Sequence, residues 1–429
     1  MKHKALFISL TAVLTVLVFL GIFITVWFIG DNYKDFKEFE KEFAIEGLKD
    51  GAIPQGMTTY YLERTFVDEN GTSTKKRQQY FLVSAYMNDG SPSRIYVTCQ
   101  ETGFVGYVTM LEENGEPHFG HVGGIATNGI RLWVTYGDSI LVAKADPAYG
   151  SGNILGEIVD KAEKNSAPEE GGEILSIRFT ASFKANCNAA FLYYYDDARY
   201  MGLTYDRLYV GEFYRKGNYE TDLAHRLETP AGYKNTALMY EYNVDDGAEN
   251  PYGLKRLTDG SANVTEENNV PKIQKIYSLP EKIQGIAFSG RKGYNTNDGI
   301  LVLSQSYGLS NSHLLCFDWK KVNENSNRAL YKQVSEHDFI YDGVYKMGTI
   351  PFTDNSLYVY YVDKGDDGMF VKDYSIPSMS EGMCTVTPYG QNVSAVGRIY
   401  VLFESAGKKY NAFTREKLKN VYSFTPHVH

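Results

Sequence analysis

From about Gly51 onward, apolar and polar positions alternate with period 2, and Gly, Asn and Asp turns separate the alternating stretches. Side chains two apart share one face of a strand, so this pattern predicts many short antiparallel strands. Helical periodicity is almost absent. The strands fall into a degenerate repeat. One unit opens with an apolar-x-Gly-apolar-small start: Pro54-Gln55-Gly56-Met57-Thr58, Val122-Gly123-Gly124-Ile125-Ala126, Ile283-Gln284-Gly285-Ile286-Ala287 and Ser380-Glu381-Gly382-Met383-Cys384. A second unit is a bulky strand, as in Arg131-Leu132-Trp133-Val134, Arg207-Leu208-Tyr209-Val210, Ile300-Leu301-Val302-Leu303 and Arg398-Ile399-Tyr400-Val401. Arg94-Ile95-Tyr96-Val97 has the same form. A third copy of the start lacks the Gly and reads Asn186-Cys187-Asn188-Ala189-Ala190, which puts five starts near residues 56, 124, 189, 285 and 382.

A four-stranded unit with two apolar faces cannot bury both alone. Stacking such units around a ring buries each face against a neighbour and leaves few free edges. Gly in each start suits an innermost strand, where backbones crowd near the axis. The expectation is an all-β protein, a β-propeller of five blades, with six as the alternative if strands between Phe339 and Val362 form another. The starts lie roughly 65–100 residues apart, more than a minimal blade needs, so long insertions are required. Arg215 to Asn235 and Gly253 to Lys272 are the clearest.

The N-terminus has a different pattern. Residues Ala5 to Ile29 carry no charge and are nearly all apolar, and a run of about 25 residues exceeds the roughly 20 that cross a bilayer as a helix. Lys2 and Lys4 precede it, which keeps that end in the cytoplasm. The run ends in Val26-Trp27-Phe28-Ile29-Gly30, a poor cleavage site and a fitting interfacial one. The expected organisation is residues 1–30 as cytoplasmic stub and signal anchor, 31–50 as an amphipathic juxtamembrane helix or stalk, and 51–429 as an extracytoplasmic propeller. The protein is expected in the cell membrane, single-pass, with its C-terminal domain outside.

Composition narrows the classes. An apolar content of 43% is enough to bury a core, which excludes disorder, and four Cys in 429 residues exclude a disulfide scaffold. The Cys stand far apart with no CxxC, as expected of buried thiols. A net charge of −9 argues against nucleic acid as a partner. The 35 Tyr are the mark of many strands, because Tyr is a good strand former.

The Gln-Gly-apolar-apolar starts, as in Ile283-Gln284-Gly285-Ile286-Ala287-Phe288, resemble those of lactonase and strictosidine-synthase-like propellers. The anchor, with Ile53-Pro54-Gln55-Gly56, Pro377-Ser378-Met379-Ser380-Glu381-Gly382 and Phe403-Glu404-Ser405-Ala406, is similar to a group of uncharacterised Gram-positive membrane-anchored cell-surface propeller proteins. This resemblance implies the fold. It supplies no activity, and the lactonases' metal ligands have no residue-by-residue counterparts here.

Propellers bind ligands at the axis, so residues beside the starts are the candidates. Gln55, His121, Asn188, Gln284 and Glu381 would converge there as three amides, an imidazole and a carboxylate. Their oxygens could hold a hard cation such as Ca²⁺, or the groups could simply bond each other and water. Glu212, Glu381 and Glu404 are the candidate catalytic carboxylates. Glu212 and Glu404 follow their strand units at nearly matching offsets. Paired carboxylates can do acid–base chemistry, and each could equally bridge to a repeat Arg. His118 and His121 form H-x-x-H without a nearby third ligand. No Ser–His–Asp arrangement, nucleophile elbow or phosphate-binding Gly loop occurs. Two functions follow as expectations. One is a membrane-anchored module that binds or scaffolds cell-surface glycan or protein. The other is a Ca²⁺-assisted extracellular hydrolase of a glycan, lactone or phosphate ester.

Overall fold

The computed structural model describes residues 15, 17–18, 33–147, 152–167, 172–185, 187–196, 205–247, 250–256, 270–290, 299–333, 339–341, 345–347, 356–365, 368–386 and 397–426. The predicted anchor, apart from Thr15, Leu17 and Val18, lies outside the described residues. Among those described, no helix is long and apolar enough to cross a membrane.

The chain forms a five-bladed β-propeller. Blade 1 runs from the axis outward through Ala52–Val67, Ser73–Met87, Arg94–Cys99 and Gly103–Leu111, with Ser176–Arg178 added in parallel. Blade 2 is Ile125–Thr127, Arg131–Tyr136, Ser139–Lys144 and Ala181–Lys184. Blade 3 is Ala189–Tyr195, Arg207–Glu212, Ala237–Asn243 and Ile273–Leu279. Blade 4 is Ile283–Ser289, Ile300–Gln305, Ser312–Asp318 and Phe370–Ile376. Blade 5 is Ser380–Val386, Arg398–Phe403 and Asn420–Phe424, completed on its outer edge by Glu40–Ala44.

That last strand corrects the sequence reading of residues 31–50. The segment is not a stalk. Glu40–Ala44 pairs antiparallel with Asn420–Phe424 and closes the ring, Glu40 facing Ser423 and Ala44 facing Asn420. Phe39 stacks on Phe424 at 4.6 Å, and Phe43 lies 4.6 Å from Phe81 of blade 1. Phe39 and Ile45 are buried, each worth about 1.5–3 kcal/mol of transfer free energy. The aromatic spacing that suggests an amphipathic helix instead serves a strand and its flanking turns. The propeller therefore begins before residue 40.

The strands between Phe339 and Val362 do not make a sixth blade. Ser356–Tyr361 pairs in parallel with Ile273–Leu279, and Arg328–Gln333 and Phe339–Tyr341 extend the outer edge of blade 3. The Arg215–Asn235 insertion joins the second and third strands of blade 3 and carries a short ladder, Leu227–Glu228 against Lys234–Asn235. The repeat unit Arg94–Val97 stands one strand out of phase. It is the third strand of its blade, where the other copies are second strands.

One α-helix has no counterpart in the sequence reading. Ile154–Ser166, capped by the Asn153 side chain on the Gly156 N–H, buries Ile154, Leu155, Ile158, Val159 and Ala162. These recur at i, i+1, i+4, i+5 and i+8, a helical stripe. They join the apolar cluster between blades 1 and 2. All four Cys are free and buried.

The Gly starts have a steric cause. Neighbouring inner strands touch around the ring. A Cβ at Gly56 would lie 2.5 Å from the Gly123 carbonyl oxygen, and one at Gly382 would lie 2.6 Å from the Met57 nitrogen.

Candidate functional site

The site is built from sheet register. The inner strand of each blade enters at the ring face where the second strand leaves. Gly56 faces Ser84, Ile125 faces Val134, Phe191 faces Gly211, Gly285 faces Ser304 and Met383 faces Val401. Gly56, Gly124, Phe191, Gly285 and Gly382 are therefore equivalent. The third start lies two residues later than the sequence suggests, with Phe191 in the place of Gly.

Just before this position the pairing slips in blades 1, 3, 4 and 5. Such a bulge leaves one residue unpaired and re-aims it. The residues so placed are Gln55, Ala190, Gln284 and Glu381, with Gly123 equivalent in blade 2. A second tier comes from the exits of the second strands: Tyr86, Gly137, Phe213, Ser306 and Glu404. Lys282 and Met379, each immediately before an inner strand, take left-handed backbone conformations with φ of 62° and 65°. That conformation is costly for residues with a side chain and is typical of positions held by their surroundings. Met379 spends its carbonyl on the Glu404 N–H, at 3.0 Å.

Between the tiers lies a cavity of about 510 Å³. Gln55, His121, Asn188, Gln284 and Glu381 all line it, and so does Glu404. Phe213, Tyr219, Tyr307 and Tyr410 supply its aromatic wall. Phe213 packs edge-on to Tyr219 at 5.5 Å and stacks with Tyr307 at 6.1 Å. The sequence reading places none of these four at the axis. Phe213 is legible as the residue three past Val210, the offset of Glu404 from Val401.

The two carboxyls form one hydrogen-bonded pair. Burial, then the neighbouring Glu404, pushes Glu381 well above the usual carboxylate range. The two side chains share a hydrogen bond, and Glu381 is the one driven more strongly toward its neutral form. Glu404 also accepts from Gln55 Nε2 at 3.0 Å. Burial raises Glu404 to about 7, the bonds from Gln55 and Glu381 and the charge of Lys409 pulling the other way. Two carboxyls in one site titrate as a unit. Burial pushes both carboxyls toward their neutral forms, and ionising one opposes ionising the other. Among the described residues, neither carboxyl forms an ion pair.

Lys409 is a cation whose charge reaches Glu404. It donates to the Tyr86 hydroxyl at 3.1 Å and lies over the Tyr410 ring at 5.1 Å. His121 lies against Tyr86 at 4.4 Å, and desolvation with the Lys409 charge holds its imidazole below the usual value.

Glu212 is not at the axis. It is buried within blade 3, accepting from His225 Nδ1 at 2.9 Å and from the Leu238 N–H at 2.8 Å. Its offset from Val210 is two residues, against three for Glu404 from Val401. One residue of difference turns a side chain to the opposite face of a strand. His118 parts company with His121 in the same way. It is fully buried, with Nδ1 against Glu112 at 2.5 Å. The repeat arginines are structural. Arg207 meets Glu241 at 3.4 Å, Arg398 meets Glu40 at 2.5 Å and Arg94 covers Tyr107 at 4.5 Å.

Among the described residues, no group of three or more His, Cys, Asp or Glu side chains is placed to hold a metal ion. The chain matches no known protein-family model and no curated protein.

Proposed function

We propose that this protein is a membrane-anchored, extracytoplasmic propeller that binds cell-surface glycan in its axial pocket. The observation that carries the reading is the pairing of amide and carboxyl groups with aromatic rings in one cavity. Gln284 and Asn188 offer donors and acceptors to hydroxyls, while Tyr219, Tyr307 and Phe213 offer flat apolar faces. Sugars present both kinds of surface, and Tyr combines an apolar face with a polar edge. The apolar run Ala5–Ile29 supports the anchor, and the positive flank supports an external propeller. A pull-down of cell-wall glycan fractions with the full-length protein in detergent micelles tests this. Retention that falls at least severalfold with Tyr307→Ala is expected; equal retention by wild type and variant removes the pocket from the reading.

A hydrolase is the second reading, favoured by the buried Glu381–Glu404 pair. Glycosidases hold their two carboxyls at least about 5 Å apart so that sugar or water fits between them. A directly hydrogen-bonded pair is closer than that, which weighs for binding over glycoside cleavage. A Ca²⁺ ion here would draw on Glu381, Glu404 and the amide oxygens of Gln55, Asn188 and Gln284, and would have to displace the shared proton. Bound Ca²⁺ raises the melting midpoint by mass action. A midpoint equal in Ca²⁺ and in EDTA removes the ion from the reading.

A further inference from the structure

We propose that the axial pocket selects a glycan unit bearing a protonated amine, seated with its ammonium on the Glu381–Glu404 pair and its ring against the Phe213–Tyr219–Tyr307 wall. This rests on the glycan reading and names the substrate class. Three observations carry it. The carboxyl pair lines the cavity with Glu381 5% and Glu404 9% exposed. Three other buried glutamates have a basic partner, Glu157 with Lys161 at 2.6 Å, Glu241 with Arg207 at 3.4 Å and Glu212 with His225 at 2.9 Å, while the buried Asp35 and Asp363 accept from backbone N–H groups. The axial pair has none among the described residues, only Gln55 and each other.

The charged and titratable groups around the pair are few. Lys409 opposes a second cation, but it is tied to the Tyr86 hydroxyl at the rim and is largely open to water, which screens it. His121 is held toward its neutral form. Burial and the Glu404 charge keep the Tyr410 hydroxyl protonated. Arg215 lies over Tyr307 at 4.0 Å and bonds its hydroxyl at 2.9 Å, so it is engaged at the aromatic wall. An aromatic wall beside a carboxylate is a general receptor for cationic groups, and a charge-assisted bond to a buried carboxylate is the strong kind. An ammonium favours the ionised pair, so binding below neutrality expels the shared proton.

The test compares a chitosan trisaccharide, which has free amines, with its fully N-acetylated counterpart, titrated calorimetrically into full-length protein in detergent micelles. At pH 7 the amine form is expected to bind about tenfold more tightly. At pH 5.5, where the sugar amines are already charged, heats in two buffers of different ionisation enthalpy should differ, reporting proton release. Glu404→Gln should abolish both the preference and the release, with circular dichroism confirming its fold. Lys409→Gln should tighten amine binding about threefold. Equal or tighter binding of the acetylated trisaccharide overturns the amine proposal and leaves the glycan reading standing. Binding of neither sugar, with wall fractions still retained, also overturns it. Binding of neither, with no fraction retained, overturns both. A preference that survives Glu404→Gln places the amine elsewhere and overturns the assignment to this pair.

Discussion

Blades 3 and 5 contain carboxyls at nearly the same place in the repeat and use them in opposite ways. In blade 3, Glu212 accepts hydrogen bonds from His225 and the Leu238 N–H, and Glu241 is held by Arg207 with the Tyr277 and Tyr209 hydroxyls at 2.7 and 3.3 Å. Blade 3 also puts Phe213 where blade 5 puts Glu404, and Phe191 where the other blades put Gly. In blade 5, the acid faces the cavity and its partner is another acid. Folding normally leaves no buried charge unmatched. The blade that obeys this serves the architecture, and the blade that departs from it marks the site.

The largest effect that would break this contrast is expected in blade 3. Glu212→Ala strands a buried imidazole and a backbone N–H and should cost about 3–5 kcal/mol in urea unfolding of the full-length protein. A loss below about 1 kcal/mol would mean that Glu212 is not structural. Next comes the ring contact in blade 5. Gly382→Ala drives a methyl into the Met57 nitrogen, from which its Cβ would be 2.6 Å, and should cost about 1–3 kcal/mol.

The third prediction concerns pH. A carboxyl raised to about 7 in the folded state holds its proton where the unfolded chain, at the ordinary value of 4.5, has lost it. Its contribution is therefore fully present below about 4.5 and is lost as the pH rises through about 7. His225, also raised, changes in the same direction, lost as the pH rises through its folded value. The Glu404 part is isolated by difference: the melting midpoint of wild type should fall more steeply between pH 5 and 8 than that of Glu404→Gln. Parallel curves would show that the pair does not share a proton. The smallest effect is Glu381→Gln, since an amide can still donate to Glu404. It should change stability at pH 7 by less than about 1 kcal/mol.

The five blades were legible because crowding at the axis leaves a chemical trace. Gly recurs where inner strands touch, and Arg-x-aromatic-Val recurs in the second strands of blades 2, 3 and 5 and in the third strand of blade 1. The axial residues followed from their place beside those starts, so Gln55, His121, Asn188, Gln284 and Glu381 could be named without any contact information. What was hidden depended on pairings between distant residues. Glu40–Ala44 carries three charged residues in five, and nothing local says that its partner is Asn420–Phe424. The helix at Ile154–Ser166 sits in a loop of an otherwise strand-rich chain, and its one apolar stripe was outweighed by the surrounding period. Glu381 and Glu404 meet only because bulge and register turn both toward the axis, while Glu212, one residue out of step, turns away.

The closing strand has a mechanical consequence. Tension on the N-terminal segment meets the contacts of Asp35 with Ser375, Phe36 with Tyr422 and Phe39 with Phe424, and then the seam that holds blade 5 together. A pull along the strand loads its hydrogen bonds side by side, a shearing geometry that shares the force instead of peeling one bond at a time. Tethered through this seam, the propeller would hang from its own clasp, and a load strong enough to draw the strand free would open the ring beside the very blade that holds the acid pair.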